Sequence, residues 1–205
     1  MTHFEIYPND YLTQEVQGFY HADFGGVGSP NNPNFLYRLK NDPHHSWSRE
    51  DLFAAMKEFA KILEDDLPAI QAFLNKTLTI CVVPRSKADK SYRSDQLLFK
   101  NTIKQIVQKL GYIDGTEYIV RHTNTKTTHL RQPMDGFDND GDLPYEGITK
   151  ATCNISDYVR GKDILLIDDI YTKTVNIDED AIEALLENGA RSVAFYAIGR
   201  TYLKF

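Results

Sequence analysis

Cysteine is scarce in this chain of 205 residues: there are two, Cys81 and Cys153, and no C-x-x-C spacing. That argues against a cysteine-built zinc site. Cys81 lies within the apolar run LTICVVP and reads as a small buried hydrophobe. The six histidines never take the H-E-x-x-H spacing of a zinc protease helix. Apolar runs of membrane-spanning length are also missing. The first residues, MTHFEIYPNDYLTQE, lack the basic start and apolar stretch of a secretory signal, so a cytoplasmic protein is expected. Positive charge is lacking overall: the net charge is −6, which argues against the whole surface gripping nucleic acid. The glycine-rich stretch Gly25–Pro30 is broken by Pro30 and Pro33 before any helix pattern, which excludes a dinucleotide fingerprint there.

Charge is present but uneven. Positions 76–131 hold eleven Lys/Arg against four Asp/Glu, a balance of +7 that leaves −13 for the remainder. Two solvated helix faces account for such a count, and so does a local site for a small polyanion.

Residues 1–47 read as aromatic, polar and loop-rich. A helix is predicted from Ser48 to Leu63, with Ser48 as cap, Asp51 three residues on, and one apolar face through Leu52, Phe53, Met56, Phe59, Ala60 and Leu63. Thr77–Val83 reads as a buried strand ending at Pro84, followed by a polar, basic loop from Ser86 to Arg93. A second helix spans Asp95–Leu110 and closes at Gly111. Glu117–Arg121 reads as a short strand. His122–Gly147 is a long polar segment of the kind that is functional or mobile. Within it, DGFDNDGDLPYE (Asp135–Glu146) has a distant likeness to a calcium loop, but Phe137 and Asp140 occupy positions that loop reserves for a ligand and a glycine. Ile164–Ile167 is the central strand, Asp178–Asn188 a helix, and Ser192–Ile198 the last strand. This alternation predicts parallel pairing with right-handed crossovers. In such sheets ligands bind beyond the carboxyl ends of the strands, where both Asp168-Asp169 and the loop after Pro84 would fall.

The pair Asp168-Asp169 ends an apolar run and precedes the turn Ile170–Asn176 into a helix. Adjacent carboxylates suit a sugar diol or a hydrated divalent cation, and a strand–turn–helix junction offers backbone amides to a phosphate. An acidic helix entry alone explains the pair poorly, because the helix is predicted to start only near Asp178.

ILLIDDIYT (Ile164–Thr172) resembles the signature of type I phosphoribosyltransferases, which bind 5-phosphoribosyl 1-pyrophosphate (PRPP). Within that family it is similar to the ComF-like, amidophosphoribosyltransferase-type proteins, whose DDVYTTGAT form shares Tyr171 and Thr172. Asp178–Val193 has the family's helix-Gly-Ala-strand cadence, and Val82–Lys87 is similar to its pyrophosphate loop. The likeness covers positions 77–201. It implies an α/β fold: a parallel-sheet, Rossmann-like phosphoribosyltransferase core over 76–205, and a helical, loop-rich N-terminal cap or hood over 1–75. It implies that Asp168 and Asp169 hold the ribose hydroxyls, with Mg2+ near them through water. It assigns Tyr171, Thr172, Lys173, Thr174, Val175 and Asn176 to the 5-phosphate, and Arg85, Ser86 and Lys87 to the pyrophosphate. The partners implied are PRPP, a nitrogen nucleophile as acceptor, and a second copy of the chain as a dimer; His122–Gly147 would close over the site. This chain departs from the family at Lys173-Thr174, where Thr-Gly is usual, and at Asn176, where a small hydroxyl residue is usual. A β-branched Thr174 would be strained if the turn required a positive φ there.

Two other readings are consistent with parts of the chain. One is a non-catalytic module that senses PRPP or a nucleotide for a protein partner. The other is a response-regulator receiver domain, which also opens on an apolar strand and an acidic pair. The latter needs a later strand ending in a phosphoacceptor Asp, and Ser192–Ile198 has none.

Overall fold

Ser48 starts the longest element as expected: its hydroxyl accepts from the Asp51 amide and Asp51 returns the bond, forming a complete capping box. The helix, α2 (Arg49–Leu74), runs eleven residues past its predicted end, through Pro68, and closes on Asn75 in the left-handed conformation. Its buried face, Phe59, Leu63, Leu67 and Ile70, supplies what Pro68 removes from the backbone ladder. The computed structural model describes residues 1–25, 29, 32–41, 47–127 and 139–201.

The fold is α/β, built around a mostly parallel, mixed sheet of six strands, and is consistent with a Rossmann-like arrangement. The strands are β1 (Thr2–Ile6), β2 (Val16–Phe24), β3 (Leu78–Val82), β4 (Ile113–Asp114), β7 (Asp163–Tyr171) and β8 (Ser192–Thr201), in the order β1-β2-β8-β7-β3-β4. All neighbours pair in parallel except β1 with β2. β5 (Ile119–Arg121) and β6 (Cys153–Ile155) form a separate antiparallel pair. The expected strand at Glu117–Arg121 therefore exists but leaves the main sheet.

Strands β3, β7 and β8 are near-continuous apolar runs because both faces of the sheet are covered. Leu165, Ile167, Tyr196 and Ile198 pack with α1 (Phe35–Lys40), α2 and α3 (Leu98–Leu110) on one face. Ile164, Leu166, Phe195 and Ala197 pack with α5 (Ile177–Glu187) on the other, where α4 (Ile148–Thr152) lies beside α5. Helix α3 begins at Leu98 rather than Asp95, since Ser94–Gln96 forms a tight 3-10 turn; it ends at Gly111 with φ 76°.

The loop-rich cap expected over residues 1–75 needs correction. β1 and β2 are strands of the main sheet, β2 lying parallel to β8, and α2 is the crossover from β2 to β3. Gly18 leaves room for the Phe4 ring across the β1–β2 pair: a Cβ there would stand 2.7 Å from it. Among the described residues, no helix is long and apolar enough to cross a membrane.

Candidate functional site

The chain moves one way along the sheet from β3 through α3 to β4, and the other way from β7 through α5 to β8. That reversal opens a crevice at the carboxyl ends of β3 and β7. The amide of Val83 donates to the Ile167 carbonyl at 3.0 Å, so the loop after β3 starts beside the acidic pair. The two segments singled out in the sequence, 84–87 and 168–176, are thus neighbours.

β7 continues to Tyr171, four residues beyond the predicted strand end, because β8 offers it ladder partners as far as Arg200. Asp168 and Asp169 therefore sit within a strand, where successive side chains face opposite ways. Asp168 meets α5, sharing a hydrogen bond with Asp178, and also accepts from the Asp169 amide at 2.8 Å. Burial, then the charge of Asp169, pushes the Asp168 carboxyl up to about 7. Burial and the charge of Asp168 push Asp178 well above the usual carboxylate range. Asp169 instead reaches α1 and pairs with Lys40, Nζ to Oδ2 at 2.5 Å.

The turn after β7 is closed by the Val175 amide donating to the Thr172 carbonyl at 2.9 Å. Lys173 and Thr174 are exposed at its tip. The strain expected at Thr174 is not there. The left-handed residue is Asn176 (φ 62°), a type that tolerates this region, and its Oδ1 accepts from Asn9 Nδ2 at 3.2 Å. Tyr171 points into the core and donates to Glu179 Oε1 at 2.7 Å; burial and the Glu179 charge raise its phenol. Thr172 meets Thr201 across the ladder, Oγ1 to Oγ1 at 3.3 Å. The first turn of α5 is filled by three buried acids, Asp178, Glu179 and Asp180. Asp180 accepts from the amides of Gly147 and Thr149, at 2.6 and 2.7 Å, and so caps α4. These acids lie at the positive end of α5, which has no side-chain cap of its own.

The residues expected at the pyrophosphate are bonded within the fold. Arg85 Nη1 donates to the carbonyls of Lys40 and Gln96, at 2.8 and 2.7 Å, and its guanidinium lies over the Tyr92 ring. Ser86 Oγ is 2.6 Å from Thr127 Oγ1. Lys87 is buried and donates to Asp140, at 2.5 Å to the carboxylate and 2.7 Å to the carbonyl. Of the expected mobile segment His122–Gly147, positions 128–138 lie outside the described residues. The described flanks are tied down, with Thr125 N donating to Ser86 O at 2.7 Å and Lys126 N to Asp142 O at 2.9 Å. The calcium-like stretch lies partly in the same undescribed segment.

A cavity of about 30 Å³, lined mostly by apolar atoms of Val83, Pro84, Leu97, Phe99 and Ile119, adjoins the β3 loop rather than the acidic pair. It has room for roughly one water. Among the described residues, no group of three or more His, Cys, Asp or Glu side chains is placed to hold a metal ion. Mg2+ does not require one: it keeps most of its water and takes one or two carboxylates plus ligand phosphates. Asp169, with hard oxygens and 18% of its side chain exposed, fits that role if Lys40 yields.

No protein family, curated protein or solved structure matches the chain. Four members of the site had no sequence signal: Lys40, Asp178 as the partner of Asp168, Asn9 and Asp140. Lys40 and Asn9 come from 129 and 167 residues away from the side chains they meet. Asp178 read only as a helix start.

Proposed function

We propose that the chain is a phosphoribosyltransferase-type protein. In this reading it binds PRPP with Mg2+ at the carboxyl ends of β3 and β7 and passes the 5-phosphoribosyl group to a nitrogen nucleophile, releasing pyrophosphate. The observation that carries the reading is the meeting of Asp168-Asp169 with the 84–87 loop at the reversal of strand order, beside the turn 172–176. Asp168 and Asp169 would bind the ribose hydroxyls, and fixed negative charge there favours an oxocarbenium-like transition state. Mg2+, held through water at Asp169, would neutralise the leaving pyrophosphate. The turn from Thr172 to Asn176 would face the 5-phosphate, with Lys173 supplying the charge that the missing glycine's close backbone approach would otherwise replace. Arg85 and Lys87 would have to exchange internal acceptors for pyrophosphate oxygens.

That last requirement favours a second reading, a module that binds PRPP or a nucleotide without turnover. Lys87 is buried against Asp140, and Arg85 holds two carbonyls. Pyrophosphate release from PRPP, assayed with ammonium and a panel of small amines and heterocyclic bases, separates the two. Release that is lost in Asp168→Asn/Asp169→Asn supports transfer. PRPP binding with no release under any acceptor selects the module.

A further inference from the structure

Lys40 has both of its ends engaged in the crevice. Its carbonyl accepts from Arg85 Nη1 of the β3 loop at 2.8 Å, and its ammonium pairs with Asp169 of β7 at 2.5 Å. It closes helix α1, whose next residue, Asn41, is left-handed (φ 41°) and buried. Asn41 is itself pinned to the 3-10 turn before α3. Its carbonyl accepts from Gln96 Nε2 at 3.2 Å, and its own side chain donates to the Asp95 carbonyl at 3.4 Å. The backbone that carries the lysine is therefore braced. Only 22% of the Lys40 side chain and 18% of the Asp169 side chain is exposed, so solvent screens this pair less than a surface one.

We infer that Lys40 is a tethered counter-ion that competes with a divalent cation for Asp169, and that a ligand polyphosphate taking Arg85 loosens it. The first half needs only the acidic pair. The second half rests on the reading of Arg85 as a polyphosphate ligand. A tethered ammonium and a metal ion cannot occupy one carboxylate face together, so each weakens the other by the same factor. Arg85 links the two ends: while it holds the Lys40 carbonyl, α1 keeps the ammonium on Asp169. A polyphosphate that draws the guanidinium away removes one of the bonds that hold the end of α1, leaving those of Asn41. The site would thus admit its cation with the anionic ligand rather than before it.

The test uses the whole chain and Mn2+ as probe, followed by electron paramagnetic resonance. Lys40→Met is expected to bind Mn2+ at least about fivefold more tightly than the native chain, and Lys40→Met/Asp169→Asn to lose that gain. Unchanged or weaker binding in Lys40→Met overturns the proposal. A second measurement needs no variant. Acetylation of native lysines, read by mass spectrometry, should be severalfold faster at Lys40 with Mn2+ present, and again with inorganic pyrophosphate alone. Lys40 labelling that ignores Mn2+ overturns the competition; labelling that ignores pyrophosphate overturns the Arg85 link. Failure here is separable from failure of the transferase reading. PRPP binding to the native chain with no Mn2+ gain in Lys40→Met removes the latch alone. A Mn2+ gain with no PRPP binding to either chain leaves the latch and removes the reading.

Discussion

At Asp178 a carboxyl is buried against Asp168, and the two acids share space suited to one proton. Asp168 is held at about 7, whereas in the unfolded chain it titrates at about 3.9. The folded chain then keeps a proton that the unfolded chain releases, so stability falls as pH rises from about 4 to about 7. Asp178→Asn removes the competitor. It should raise Tm by about 3 °C at pH 8, with the gap closing below pH 4, in melts followed by circular dichroism. Asp66 behaves in the opposite sense. Its burial would raise the carboxyl, but hydrogen bonds from His21 (2.9 Å) and Tyr196 (2.6 Å), with the charge of His21, hold it below its ordinary value. Asp66→Ala strands the buried Tyr196 hydroxyl and should cost about 2–4 kcal/mol in urea unfolding at pH 7. The stabilisation by Asp66 is present above its unfolded value and is lost as pH falls through its lower folded one, so this gap should narrow below about pH 4. Asp168 and Asp169 were legible as a site because two charges at the end of an apolar run are costly without a purpose. Lys40 was not, because a basic residue closing a short helix is ordinary surface chemistry.

The turn between β7 and α5 shows what a local pattern can and cannot specify. Its place was legible, but its conformation was not. A missing glycine at position 174 implied strain, yet the positive φ falls on Asn176. Asn176→Ala should cost about 1 kcal/mol, because alanine has no local hydrogen bond to offset the left-handed backbone and the contact with Asn9 is lost. Asn176→Gly should be nearly neutral by the same urea titration. Equal losses in both would mean that the Asn9 contact, not the backbone, sets the cost. Helix α2 tells a similar story. Its capping box was plain in Ser48 and Asp51, whereas its passage through Pro68 depends on packing against the sheet. The charges of Asp168 and Asp169 predict a strand end at Ile167, while the β8 ladder carries β7 on to Tyr171.

For the whole molecule, the parallel core was legible from the order of apolar strands and amphipathic helices. The part played by the first 24 residues was not, since VQGFYHADF mixes glycine and charge with aromatics and lacks a clean alternation. Those residues extend the sheet beyond β8, and α2 covers Leu165, Ile167, Tyr196 and Ile198. Residues 76–205 alone should therefore fail to melt cooperatively and should bind a hydrophobic dye; a sharp melt would restore an independent cap. The functional reading meets its most direct test in calorimetric titration of the folded chain with PRPP and Mg2+. Saturable heat that Asp168→Asn/Asp169→Asn abolishes is the predicted result. No heat, from a native chain that still melts cooperatively, would contradict a phosphoribosyl site at the end of β7.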